Sequence, residues 1–159
     1  MLAVGDCVHA FLCVDSASGE LAERLAMASQ VVAGFAIDHV AVEALPVMTD
    51  RLVAFLKDKH PDATIRHEMP VQGKLGNRRV NGTIDMLAKT NEGYIIIDHK
   101  TFPGRFEQWE AKALSHAPQL ALYRYIVEQA TGEPVIAQYI HMPVVGAMIK
   151  LDCKLTPLT

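Results

Sequence analysis

Long apolar runs are missing from this chain. No stretch approaches the ~18 residues a membrane span needs, although half of the 159 residues are hydrophobic. The opening Met1-Leu2-Ala3-Val4-Gly5-Asp6 lacks the basic stretch that begins a secretory signal. Cysteine is scarce. Cys7, Cys13 and Cys153 form neither an even disulfide set nor a C-x-x-C zinc pattern. A reducing compartment is the simpler reading, with all three as small core residues. These absences lead us to expect a cytoplasmic protein with no membrane partner. An excess of positive charge is missing too: 15 Lys and Arg stand against 18 Asp and Glu, a formal charge of −3. Bulk electrostatics therefore do not make the chain a nucleic-acid clamp. A polyanion would have to be held by a local patch or through metal ions.

What is present suffices for one folded domain, since domains commonly run to roughly 100–150 residues. The first sixty residues read as helical. Val8, Phe11 and Leu12, then Leu21, Leu25 and Ala28, recur at three- and four-residue spacing. A further helix is expected over about 40–59, starting late because of Pro46. From Ala63 the period becomes two: Ile65, His67, Met69 and Val71 alternate with polar neighbours. A turn over Gly73–Asn77 leads to a strand over 79–88. A second turn at Thr90-Asn91-Glu92-Gly93 leads to one over 94–100. Helices follow over 106–116 and from Pro118 to Gly132, then a strand over 134–142 and a short one over 147–151. This order predicts an α/β fold with a mixed central β-sheet flanked by helices. We read residues 1–159 as a single domain, with a helical part over 1–61 and a sheet part over 62–159.

The second hairpin carries the chemistry. A turn centred between Asn91 and Glu92 sets Asp85 opposite Asp98, and Lys100 falls on the same side as Asp98. Directly paired side chains have Cβ atoms ~4.5–5.5 Å apart. Two carboxylates that close repel by about 4 kcal/mol at an effective dielectric near 20. A divalent cation reverses the sign of that energy, and hard oxygen donors suit Mg²⁺ or Mn²⁺. Taken singly, each Asp is more simply an exposed strand-end or turn residue. An Asp-x-Lys after four apolar residues, with a second Asp in register, favours function, provided the register does not slip by one.

Gly82-Thr83-Ile84-Asp85 followed by Ile95-Ile96-Ile97-Asp98-His99-Lys100-Thr101 resembles the PD-(D/E)-x-K nuclease superfamily. The likeness is greatest to the RecB/AddA-type nuclease domain at the C-terminus of bacterial helicase–nucleases. A family "G-x-x-x-H" helix is matched by Gly5-Asp6-Cys7-Val8-His9, and a "Q-x-x-x-Y" helix by Gln119-Leu120-Ala121-Leu122-Tyr123. The resemblance implies a restriction-endonuclease-like core. It implies that His9, Asp85 and Asp98, with the backbone carbonyl of His99, bind the metal. Lys100 would be the catalytic lysine, and Gln119 and Tyr123 would line the site. Glu68 falls where the family often carries an acidic residue. Outside the resemblance, a lone His such as His9 on an apolar helix reads as a core or boundary residue, and Gln119 with Tyr123 as the polar edge of a packed helix. Some relatives hold an iron–sulfur cluster on one upstream and three downstream cysteines. With only Cys153 late in the chain, no cluster is expected.

These features lead us to expect a Mg²⁺- or Mn²⁺-dependent DNA exonuclease acting in repair or recombination. No G-x-x-x-x-G-K-[S/T] phosphate loop is present, so a helicase motor would lie elsewhere in a longer chain or on a partner. We expect either an excised C-terminal domain of a larger helicase-like protein or a short stand-alone member. Lys74, Arg78, Arg79 and Arg105 are candidate DNA contacts, with Lys112 and Arg124 beyond them. Phe102, Phe106 and Trp109 either stack on bases or form a core stripe, and for Trp109 we favour the core. The alternative is a catalytically silent DNA-binding or partner-docking domain that keeps the fold. A metal hydrolase of another kind fits less well, because of the lysine beside Asp98.

Overall fold

A computed structural model describes residues 2–155, the side chain of Leu2 excepted; residue 1 and residues 156–159, the ends of the expected domain, lie outside the described residues. The elements run α1 (Leu2–Val14), α2 (Leu21–Gly34), α3 (Ala44–Lys59), β1 (Thr64–Leu75), β2 (Arg78–Lys89) and β3 (Tyr94–His99). They continue with α4 (Phe106–Leu114), α5 (Ala117–Thr131), β4 (Val135–Met142) and β5 (Ala147–Leu151). The five strands form one sheet in the order β1-β2-β3-β4-β5. β1–β2 and β2–β3 are antiparallel and β3–β4 is parallel, so the sheet is mixed. Among the described residues no helix is long and apolar enough to cross a membrane.

The chain forms two compact units. Among the described residues, the first comprises 2–61, 100–102 and 142–147; the second holds 62–99, 103–141 and 148–155. In the first, Phe11, Leu12, Leu45, Leu52 and Leu56 are buried, as amphipathic helices require. The expected apolar stripe of α2 is corrected in part. Leu21 is 59% exposed, and α2 buries Arg24 with Ala28 and Val32. The Arg24 guanidinium donates to Asp15 through Nε (2.9 Å) and Nη2 (2.7 Å), to Asp50 (2.8 Å) and to the Pro46 carbonyl (3.0 Å). One cation thus ties the end of α1 to α2 and α3. Burial alone would raise the Asp15 carboxyl's pKa, but hydrogen bonds from Arg24 and Thr49 and the Arg24 charge bring it below its usual value. Pro46 sits in the first turn of α3, where its missing N–H is tolerated, and the helix starts late as expected.

In the second unit, Ile95, Ile96 and Ile97 are all fully buried. Successive side chains of a strand point to opposite faces, so β3 is covered on both, which explains its unbroken β-branched run. The first turn is shorter than expected. β1 continues through Gly73, Lys74 and Leu75, and only Gly76 and Asn77 make the turn, with Gly76 supplying the positive φ of 58°. α5 begins with Pro at its first turn and ends on Gly132 in the left-handed conformation (φ 71°). α5 packs on the sheet closely enough that a Cβ on Gly82 would lie 2.7 Å from Tyr123 Cε1 and 2.9 Å from its Oη. Only glycine admits that approach. The Gln138 amide, 1% exposed, donates to the Leu120 carbonyl of α5 (2.8 Å) and accepts from the Cys153 N–H (2.8 Å). All three cysteines are free, two of them buried.

Candidate active site

The β2–β3 ladder pairs Lys89 with Tyr94, Ala88 with Ile95, Leu87 with Ile96 and Met86 with Ile97. That register would bring Asp85 opposite Asp98 at the next step, but the ladder stops before it. Instead the Asp85 carboxylate reaches across: its Oδ2 accepts the backbone N–H of His99 at 2.7 Å. A side chain takes over where a backbone bond would continue. On its other edge β2 also loosens at Asp85. The ladder to β1 passes from His67–Met86 to Met69–Ile84 without pairing Glu68 with Asp85. Glu68 adopts φ +50°, rare for a residue with a Cβ and costing on the order of 1–3 kcal/mol. β3, by contrast, stays paired to β4 through Asp98–Ile140 and His99–His141. The sheet thus forks around Asp85 while β3 is held from its far side.

Asp98 lies at the end of the apolar β3 run and is 2% exposed; Asp85 is half-buried. Lys100, half-buried, follows His99 directly in the chain. His99 is fixed twice: its N–H goes to Asp85, and its Nδ1 lies 2.9 Å from Nδ1 of His141, with the rings edge to face. Both imidazoles are buried, and burial pushes the pKa of His141 down to about 4. At neutral pH His141 is therefore uncharged, and one ring's Nδ1–H donates to the other's lone pair. Sequence reasoning missed His141. Its only signal was a polar residue near the end of an apolar strand, and parallel register was needed to set it beside His99.

Gln119 and Tyr123 share one face of α5, and Gln119 Nε2 donates to Tyr123 Oη at 3.1 Å. The slot at Gly82 seats this ring against β2, three residues before Asp85. His9 sits half-buried on α1 in the first unit. Lys74, Arg78 and Arg79 are exposed at the β1–β2 tip, with Lys74 directly opposite Arg79. Six residue steps along β2, about 20 Å, separate Arg79 from Asp85. Arg105 is exposed at the start of α4, its N–H donating to Gln108 Oε1 at 3.0 Å. Arg124 bonds Glu128 (3.0 Å) and Asp152 (2.9 Å). The aromatic core stripe is corrected as well. Phe106 is 73% exposed and Trp109 only half-buried.

A family model described as the PD-(D/E)XK nuclease superfamily matches residues 2–153. The chain belongs to that nuclease superfamily. Over 73 residues it is 32% identical to one subunit of an ATP-dependent helicase/nuclease from Pelotomaculum thermopropionicum, a match covering 46% of this chain and 6% of that protein. Among solved structures it is similar to a protein from Eubacterium rectale, named provisionally as an exonuclease, with a TM-score of 0.43 and 12% identity. That match covers 82% of this chain and 57% of the other. A Vibrio cholerae protein gives a TM-score of 0.39 at 15% identity, over 89% of this chain and 43% of that one.

Superfamily membership implies a divalent metal, and the donors at the fork fit one. Asp85, Asp98 and the His99 carbonyl are hard oxygen donors, the kind that Mg²⁺ and Mn²⁺ take. One oxygen of the Asp85 carboxylate accepts the backbone N–H of His99.

Proposed function

We propose that this chain is a Mg²⁺- or Mn²⁺-dependent DNA exonuclease that hydrolyses phosphodiester bonds. The observation that carries the reading is the fork in the sheet at Asp85, where a carboxylate bonds the backbone of the Asp98-His99-Lys100 strand end. Asp85, Asp98 and the His99 carbonyl would hold the cation, and the resemblance adds His9 to that set. When bound, the ion supplies Lewis-acid activation of the phosphate and a lowered pKa for the attacking water. The Lys100 ammonium donates hydrogen bonds to that water or to the charge that builds on phosphorus-bound oxygen. Water attacks phosphorus, the bond to the 3′ oxygen breaks, and the 3′ oxygen leaves as a hydroxyl. Gln119 and Tyr123 offer an amide and a hydroxyl to the phosphate or to a base edge. Lys74, Arg78, Arg79 and Arg105 contact the DNA backbone. The likeness to a helicase/nuclease polypeptide supports a role in repair or recombination beside a helicase motor, in cis or in trans.

The test is cleavage of an end-labelled oligonucleotide with Mg²⁺ or Mn²⁺. Asp98→Ala should lower the rate by about 100-fold or more. Lys100→Ala should lose cleavage while still binding Mn²⁺. His9→Ala should weaken Mn²⁺ binding. Equal rates for wild type and Asp98→Ala overturn the proposal. DNA binding without metal-dependent cleavage in the wild type would replace it with a silent binding module.

A further inference from the structure

The sequence left Phe106 and Trp109 between core and surface, and the structure gives them an arrangement with a use. α4 follows β3 after six residues and buries only Ala113 of its own nine. Phe106, at 73%, is the most exposed of the large apolar side chains among the described residues. Its ring meets that of Trp109 edge to face, with centroids 5.1 Å apart and planes at 68°. Trp109 is anchored in turn, its Nε1–H donating to the Gly104 carbonyl at 2.9 Å. The pair is therefore a braced aromatic surface, open on its outer side.

The charges around it indicate what it takes. At 100° per residue, Trp109 and Lys112 fall along one strip of the helix with Arg105 at its N-cap, Phe106 lies about 60° to one side of Trp109, and Glu110 follows one turn after Phe106 on its far side. An aromatic face with cations at its start and along its Trp109 edge suits a ligand made of flat rings joined by anions. In a duplex, stacked neighbours cover each base face, so the ligand must offer an unpaired base. We propose that Phe106 and Trp109 form a stacking site for an unpaired nucleobase of single-stranded DNA, with Arg105 taking the adjoining phosphate. The chain between His99 and Arg105 holds the two no more than about 20 Å apart, a few nucleotides of extended strand. The inference rests on the nuclease reading for its substrate, and the experiment separates the two.

Trp109 is the only tryptophan in the chain, so its fluorescence reports on this site alone. The full chain is titrated in EDTA, where metal-dependent cleavage is suppressed, with three probes of equal length. These are a single-stranded oligonucleotide, its abasic phosphodiester counterpart and a blunt duplex. The single strand should quench Trp109 and bind about tenfold more tightly than the other two. Phe106→Ala should remove that preference and leave abasic binding unchanged, and Phe106→Tyr should restore it. Equal binding of single-stranded and abasic probes overturns the site, as does absence of binding or an unchanged preference in Phe106→Ala. If Phe106→Ala abolishes self-association in sedimentation while DNA binding is intact, the surface belongs to a second copy and the inference falls. Base-dependent binding without cleavage in Mg²⁺ or Mn²⁺ leaves the stacking site standing and removes the nuclease reading. Cleavage without base dependence does the reverse.

Discussion

Asp15 in the first unit and Asp98 in the second are both withdrawn from water, and Asp85 bonds the backbone that follows Asp98 where the sheet forks. Asp15 commits both oxygens to one guanidinium, in the planar two-point geometry that Arg and a carboxylate share. The charge is answered within the fold, and the cluster with Asp50 and Pro46 joins three helices. Asp85 instead receives a neutral backbone N–H. That bond orients the carboxylate. A buried acid paired to a cation is part of the scaffold. An acid oriented by a strand-end N–H, at a lapse in two strand ladders, is positioned by the backbone of the sheet.

The sharpest way to break this comparison is to remove the cation of the first cluster. Arg24→Leu should cost about 3–5 kcal/mol in urea unfolding, because it leaves Asp15 buried and unanswered. Cleavage per folded molecule should stay near wild type. A loss of activity that exceeds the loss of folded protein would mean that Arg24 serves the site and not only the scaffold. Next in size is Gly82→Ala. A methyl there drives into the Tyr123 ring, so about 1–3 kcal/mol of stability should go, with cleavage impaired beyond the unfolded fraction. Wild-type stability and activity in this variant would detach Tyr123 from the site.

Acid sharpens the same contrast. The Asp15 carboxyl titrates below its usual value in the folded chain. Its contribution is thus complete above about pH 4 and is lost as pH falls through the lowered value. Urea midpoints measured from pH 5 down to pH 2 should fall less in Asp15→Asn than in wild type. The smallest effect belongs to the exposed basic tip. Arg78→Glu with Arg79→Glu should weaken DNA binding several-fold and flatten its dependence on salt, since each lost phosphate contact removes about one unit of slope. A salt dependence that does not change clears the tip of that role.

Much of this was legible in order. The period change at residue 63, the Gly and Pro punctuation and the Ile95–Ile97 run announce helices, then strands, then helices with a final strand. The register of the second hairpin could be read from its four-residue turn. Other features were not legible for physical reasons. Leu21 looks like a core residue and Arg24 like a surface one, because periodicity cannot register a guanidinium buried by partners on two other elements. Glu68 lies in a strand of regular alternation, and nothing local announces its left-handed backbone. Gly82 reads as a weak strand residue until the ring it accommodates is in view.

The sequence by itself determined the strand order along the chain, the pairing of Asp85's strand with Asp98's, and the family, because local pattern and motif spacing are properties of neighbours. Tertiary structure alone decided that the pairing lapses at Asp85, that His141 meets His99, and that Phe106 stays in water. Each of those depends on how segments far apart in the chain approach one another, and that approach is governed by packing.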